Sequence, residues 1–228
     1  MRNTLSIATA TVLLVTSGVL TFAQAATWHD SETLYRYVLS VSPHALAARN
    51  NLGMEYLHQG KKDQALAEFN ALLQESAWPT TLVNRGLTYF QQGDSVEAVA
   101  DYRKALELDP KLFDAYYELG NVAYHQGKLA DAVDLYRKAI TLNPQYTNAL
   151  NNLGAAELQL HQWDKAADTF RALISINPLF TEAYYNLAVI DEQTGKKEEA
   201  MTMYEQALAL RPEDADAIAG LARVRSQR

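Results

Sequence analysis

An all-α fold of stacked helix pairs is what this chain predicts, on three observations. The first is a period. Gly53, Gly86, Gly120, Gly154, Ala188 and Ala222 follow one another at intervals of 33, 34, 34, 34 and 34 residues, and a fixed repeat of that size marks small units that bury their apolar faces only against neighbours. The second is what travels with the period. Counting each repeat from residue 46, 79, 113, 147 or 181, position 20 is alanine every time (Ala65, Ala98, Ala132, Ala166, Ala200), and position 24 is a ring every time (Phe69, Tyr102, Tyr136, Phe170, Tyr204). The third is punctuation: position 15 holds Gly60, Gly93, Gly127, His161 and Gly195, and position 32 holds Pro110, Pro144, Pro178 and Pro212.

Each repeat therefore reads as helix, tight turn, helix. Position 7 (Leu52, Arg85, Leu119, Leu153, Leu187, Leu221) gives the first helix its large apolar side chain, with one departure at Arg85. Small residues at positions 8 and 20 let two helices approach closely, and the ring at position 24 fills the space beside them. Glycine at position 15 accepts a turn conformation that other residues resist, and proline at position 32 stops the second helix. This succession of Leu, Gly, Gly, Ala, aromatic, Ala and Pro resembles the tetratricopeptide repeat. That resemblance implies a right-handed, all-α solenoid of antiparallel helix pairs whose first helices line a concave binding face.

The two ends carry half repeats. Projected backward, the columns place Trp28, Ser31, Tyr35 and Pro43 at positions 17, 20, 24 and 32, with Trp28 matching Trp163, so residues 27–45 form a second helix alone. Its first helix would fall within residues 12–25, where another kind of segment stands. Leu5 to Thr27 carries no charge and follows a lone Arg2. Residues 1–26 therefore read either as a cleavable signal ending at Ala23-Gln24-Ala25 or as a retained membrane anchor, and either implies an exported protein, periplasmic or anchored facing the periplasm. At the other end, residues 213–228 give a first helix only. We expect a capping helix with Ile218, Leu221 and Ala222 inward and Arg223, Arg225 and Arg228 toward solvent. Five repeats over residues 46–212 lie between.

The lead-in "WHDSETLYRYVLSVSPHALAARNNLG", directly after an apolar segment, is similar to the junction between the last membrane helix and the repeat domain in bacterial relatives of the transmembrane and tetratricopeptide repeat O-mannosyltransferases. Those proteins carry sugar transfer in many membrane helices, and this chain has room for one at most. The resemblance implies an accessory or C-terminal domain of a membrane glycosyltransferase system, without catalysis of its own.

Composition narrows the chemistry. Acidic side chains outnumber basic ones, 27 to 20, for a net charge of −7, which disfavours nucleic acid as a partner. Cysteine is absent, so disulfides, thiolate metal sites and cysteine nucleophiles are excluded. The five histidines form no i, i+4 pair, the glycines form no phosphate loop, and no Gly-x-Ser-x-Gly elbow occurs. Acid pairs such as Glu198-Glu199 and Glu213-Asp214 stand at helix starts, where the helix dipole favours them. We expect no enzyme activity, metal or cofactor.

Function is then expected on the first-helix face, mainly at positions 2, 5, 9 and 12, which recur on one side of the helix. Positions 5, 9 and 12 supply Asn50, Tyr117, Asn151 and Tyr185; Asn121; and Phe90, Tyr124 and Glu192, among apolar neighbours that include Val83 and Leu57 and without a lysine or arginine. Position 6 adds Asn51, Asn84, Asn152 and Asn186, with Glu118 as the exception. Two readings of the asparagines stay open: a ladder of amides gripping a peptide backbone, as the resembling superhelical domain of O-GlcNAc transferase implies, or bonds between neighbouring turns. Tyr117 and Tyr185 likewise read as ligand contacts or as partly buried packing. The expected partner is a protein or peptide, with the membrane touched only through the N-terminal segment.

Overall fold

The computed structural model describes residues 31–226. Among them are twelve α-helices and no strand. In chain order these are α1 (Ser31–Val41), α2 (Leu46–His58), α3 (Lys62–Glu75), α4 (Pro79–Gln92), α5 (Ser95–Leu108), α6 (Phe113–His125), α7 (Leu129–Leu142), α8 (Thr147–Gln159), α9 (Trp163–Ile176), α10 (Thr181–Gln193), α11 (Lys197–Leu210) and α12 (Ala215–Ser226). The expected leader over residues 1–26, Trp28 and Arg228 lie outside the described residues. The chain divides into two compact bodies, α1 to α4 and α5 to α12, with the division in the turn at Gln92 and Gly93. All-α helix pairs of the solenoid class are what the structure contains.

The period fixes the helix limits through local backbone chemistry. Gly60, Gly93, Gly127 and Gly195 hold φ of 73°, 94°, 72° and 78°, the left-handed region that closes a helix end. In the first of these turns the Gly60 amide donates to the Leu57 carbonyl at 3.0 Å and the Lys61 amide to the Tyr56 carbonyl at 2.8 Å. His161 is forced into the same region with φ 56°, where a side chain costs about 1–2 kcal/mol. Its ring lies 5.1 Å from Trp163, which offsets part of that cost. His161→Gly is therefore expected to raise the unfolding free energy by up to about 1 kcal/mol in a urea titration; an unchanged or lower midpoint would show that the ring contact outweighs the strain.

Proline acts at the ends of the second helices. Asp109, Asn143, Asn177 and Arg211, each just before a proline, stand at extended or near-extended angles that end α5, α7, α9 and α11. The 33-residue repeat that starts at Leu46 lacks that proline. There the chain extends at Ser76, and Pro79 stands at the first position of α4, where its missing N–H costs nothing.

The core runs along columns. Alanine at position 20 and the ring at position 24 are fully buried in every repeat. At position 8 the approach is closest: a Cβ built on Gly154 would lie 2.7 Å from Phe170 Cζ, and one on Gly120 would lie 2.6 Å from Tyr136 Cε1. The terminal helix corrects one expectation. Ala217, Gly220, Leu221 and Val224 of α12 are buried, whereas Ile218 is 48% exposed and Ala222 is exposed. The buried set rests on α11, with Gly220 against the Tyr204 ring, while Ile218 and Ala222 turn toward the side where a second helix of the same repeat would pack.

Candidate binding face of the first helices

In the body formed by α5 to α12, successive first helices are tied by side-chain hydrogen bonds. Asn152 of α8 donates to the Asn121 amide oxygen at 2.9 Å and to the Tyr117 hydroxyl at 3.2 Å, both on α6. Asn121 in turn accepts from the Tyr136 hydroxyl at 2.9 Å and donates to Glu118 at 3.1 Å. Asn151 donates to the Asn152 oxygen at 3.4 Å, and its own amide oxygen is buried without a hydrogen-bond partner. One turn further along, Gln159 donates to the Tyr124 hydroxyl. Five of the expected site residues thus lie on one stretch of α6 and α8. Tyr117, Asn121, Asn151 and Asn152 share one network, and Tyr124 sits beside it. All five are half-buried.

The rings there do structural work as well. Tyr117 packs 5.0 Å from Tyr146 and 5.9 Å from Tyr136, and burial raises its hydroxyl pKa above the ordinary value. Tyr185 of α10 is half-buried 6.0 Å from Tyr204, and Asn186 beside it is half-buried. At the C-terminal end of this face Arg223 of α12 donates to Glu192 of α10 at 2.8 Å, and Glu192 also accepts from Tyr204 at 2.9 Å. The Arg223 hydrogen bond holds Glu192 below the usual carboxylate range. This guanidinium is the cationic contribution of the terminal helix to the face.

In the body formed by α1 to α4 the arrangement repeats on a smaller scale. Asn84 of α4 donates to the Asn50 oxygen of α2 at 3.1 Å, and Thr81 donates to the same oxygen at 3.0 Å. Asn51 is exposed on α2 and Phe90 is half-buried on α4. Two other positions of the same face, Leu57 and Val83, are buried in the core.

Sequence reasoning singled out Glu118 only as a departure from asparagine and reached Asp114 only through its column, position 2, without naming it. Both belong to this face. Burial raises each carboxyl above its usual range, with Asp114 adding to the effect on Glu118. The spacing i, i+4 on α6 was the available signal. A carboxyl with a raised folded pKa adds stability below its unfolded value and loses it as pH rises through the folded value. Glu118→Gln, which keeps the acceptor for Asn121, is therefore expected to melt higher than the parent at pH 7 and equally with it below about pH 4. An advantage that persists at low pH would place its origin elsewhere.

On the other side of the helix pairs, an open groove of about 510 Å³ between α5, α6 and α7 is lined by Val96, Val99, Leu119 and Leu135 with Arg103. Among the described residues no three His, Asp or Glu side chains could share a metal ion, and no helix is long and apolar enough to cross a membrane.

Models of the tetratricopeptide repeat match residues 19–79, 113–146, 135–167 and 181–214, and a TPR repeat model matches residues 86–127. The chain belongs to the tetratricopeptide repeat family. Human tetratricopeptide repeat protein 6 is 27% identical over 90 residues, 40% of this tetratricopeptide repeat chain and 17% of that protein. Among solved structures, MamA is similar with a TM-score of 0.64 and 28% identity, covering 72% of this chain and 96% of that one. YrrB, described as a TPR protein with an unusual peptide-binding site, gives 0.63 and 22% over 81% of this chain and 96% of that one. Pseudomonas aeruginosa PilF gives 0.74 and 20% over 81% and 85% of the two chains.

Proposed function

We propose that this tetratricopeptide repeat protein is an exported scaffold that holds a protein or peptide segment against its first-helix face. The observation that carries the reading is the strip of half-buried tyrosine and asparagine side chains on α6 and α8, Tyr117, Asn121, Tyr124 and Asn151. Positions 5, 9 and 12 of the five repeats bring no lysine or arginine to it. Rings on such a surface anchor a chain by burial and amides orient its backbone. The description of YrrB as peptide-binding concerns a protein of the same fold and agrees with this use of it.

Because Tyr117 packs against two other rings, its truncation would disturb the fold together with any ligand. Ala155, half-buried at position 9 of α8, offers a cleaner probe. Peptides selected from a displayed random library on the parent protein are expected to lose at least about tenfold in affinity on Ala155→Arg. They should keep it on Val96→Glu, which alters the opposite groove, and should lose little between low and moderate salt. Peptides that ignore Ala155→Arg and fail on Val96→Glu would move the site to the second helices. Export has a separate test. Intact mass of the purified protein should begin at Ala26 if Ala23-Gln24-Ala25 is the cleavage signature, whereas the full-length chain in the membrane fraction marks the anchor.

A further inference from the structure

In the body formed by α5 to α12, position 25 of a second helix meets position 11 of the next first helix as opposite charges. Arg137 pairs with buried Glu157 at 2.7 Å, the Arg171 charge acts on buried Asp191, and Glu205 pairs with Arg225 at 2.8 Å. Between α5 and α6 the cation is present and the acid is not. Arg103 is exposed at position 25, position 11 is buried Ala123, and position 23, where Thr169 helps to hold Glu157, is Leu135. Among the described residues the Arg103 guanidinium has no ion pair or hydrogen bond. Acids are missing along the rest of this wall too. Position 22 is Ala100 here, against Asp134 and Asp168 in the next two second helices, and position 18 is Val96, 81% exposed, against Ala130 and Asp164.

Val96, Val99, Ala100 and Arg103 recur at i, i+3, i+4 and i+7, a single stripe of α5 about 10 Å long. It forms one wall of the groove of about 510 Å³, with Leu119 and Leu135 among the other lining residues. Lys128 and Asp131 also line that groove and are opposite in sign, so Arg103 sets its net charge. An exposed aliphatic stripe that ends in an unpaired guanidinium complements a surface with apolar side chains and one carboxylate. We infer that this groove docks an acidic amphipathic helix of a partner protein. Its aliphatic side chains lie on Val96, Val99 and Leu119, and its Asp or Glu, about two turns along, pairs with Arg103 as Glu157 pairs with Arg137. A helix fits because the stripe repeats at the spacing by which helix-in-groove partners are read. A small molecule does not, because an open groove cannot enclose the roughly 70–90% of ligand surface that such sites bury. This second site is separate from the first-helix face and does not rest on that reading. It takes a segment already held as a helix, which a short linear peptide is not in water.

The test uses the full-length protein carrying Ala155→Arg, which alters the first-helix face and leaves the groove intact. Its probe is a displayed library of small helical-bundle proteins randomised on one helix face. Selected binders are expected to carry Asp or Glu beside aliphatic residues and to bind the parent equally well. They should lose at least about tenfold in affinity on Val96→Glu and on Arg103→Glu, and weaken as salt rises from low to moderate. Both positions are exposed, so the melting midpoint of either variant should match that of its parent. Changing the binder's acid to lysine should restore affinity for Arg103→Glu and remove it for the unchanged groove, a reversal that a merely structural role for Arg103 would not produce. A library that yields no binder overturns the inference, as do binders that are all indifferent to both groove variants. Binders that fail on Val96→Glu, carry no acid and ignore Arg103→Glu overturn it as well, leaving an apolar contact without charge recognition.

Discussion

Phe170→Ala is expected to lower the unfolding free energy by about 3–5 kcal/mol, the range for emptying a ring from a close-packed site. Phe170 is fully buried on α9, between α8 and α10, in a cluster with Leu150, Ala166, Ala167, Leu173, Ala183, Leu187 and Ile190. Two features keep the hole from closing. Gly154 presents bare backbone to the ring edge, with no side chain to move inward. The alanines at positions 166, 167 and 183 are equally short. A urea titration should show the midpoint fall by roughly 1–3 M at an ordinary slope, and loss of order should concentrate in α8, α9 and α10, since each repeat of a solenoid contacts only its neighbours. A loss below about 1 kcal/mol would mean that the ring is not an essential filler of its column.

The second large effect is electrostatic. Glu157 of α8 is 1% exposed and accepts from the Arg137 guanidinium at 2.7 Å and the Thr169 hydroxyl at 2.8 Å. Removing Arg137 leaves a buried carboxylate with one neutral donor. Breaking such a pair from one side costs about 3–5 kcal/mol when both partners are buried, and the 45% exposure of Arg137 lets water recover part of it. Arg137→Ala is therefore expected to cost about 2–3 kcal/mol, and Glu157→Gln less, because the arginine it frees can hydrate. The chain carries an internal control. Glu205 and Arg225 occupy the same two columns with the charges exchanged, 2.8 Å apart, and both are more than half exposed. Arg225→Ala should cost under about 1 kcal/mol. Equal losses for the two arginines would show that burial does not set the energetics of this column.

Helix limits were legible because they depend on residues within a few positions of the boundary: a glycine that accepts positive φ, a proline that halts a helix, an alanine that permits an approach. Even the shortened repeat follows, with Pro79 starting α4. The sequence could name the columns of the first-helix face, positions 2, 5, 9 and 12, but not the depth of each side chain in them: Leu57 and Val83 stand in those columns and are buried in the core. A column fixes the direction of a side chain from its own helix. It does not say how deeply the next helix covers it. The same reason accounts for Ile218 and Ala222, whose columns point inward in every complete repeat.

The sequence by itself determined the repeat, its turns, the alanine and aromatic columns of the core and the class of fold, because these follow from local backbone preference and from packing that recurs every 33 or 34 residues. Tertiary structure alone decided how the polar side chains are spent. Asn84 and Asn152 reach back to the preceding first helix, Glu157 is buried beneath an arginine on a neighbouring helix, and Asp114 with Glu118 is held in an environment that resists ionisation. A hydrogen bond is settled by distances of a few tenths of an ångström between groups roughly thirty residues apart, and the spacing of residues along one chain carries no such distance.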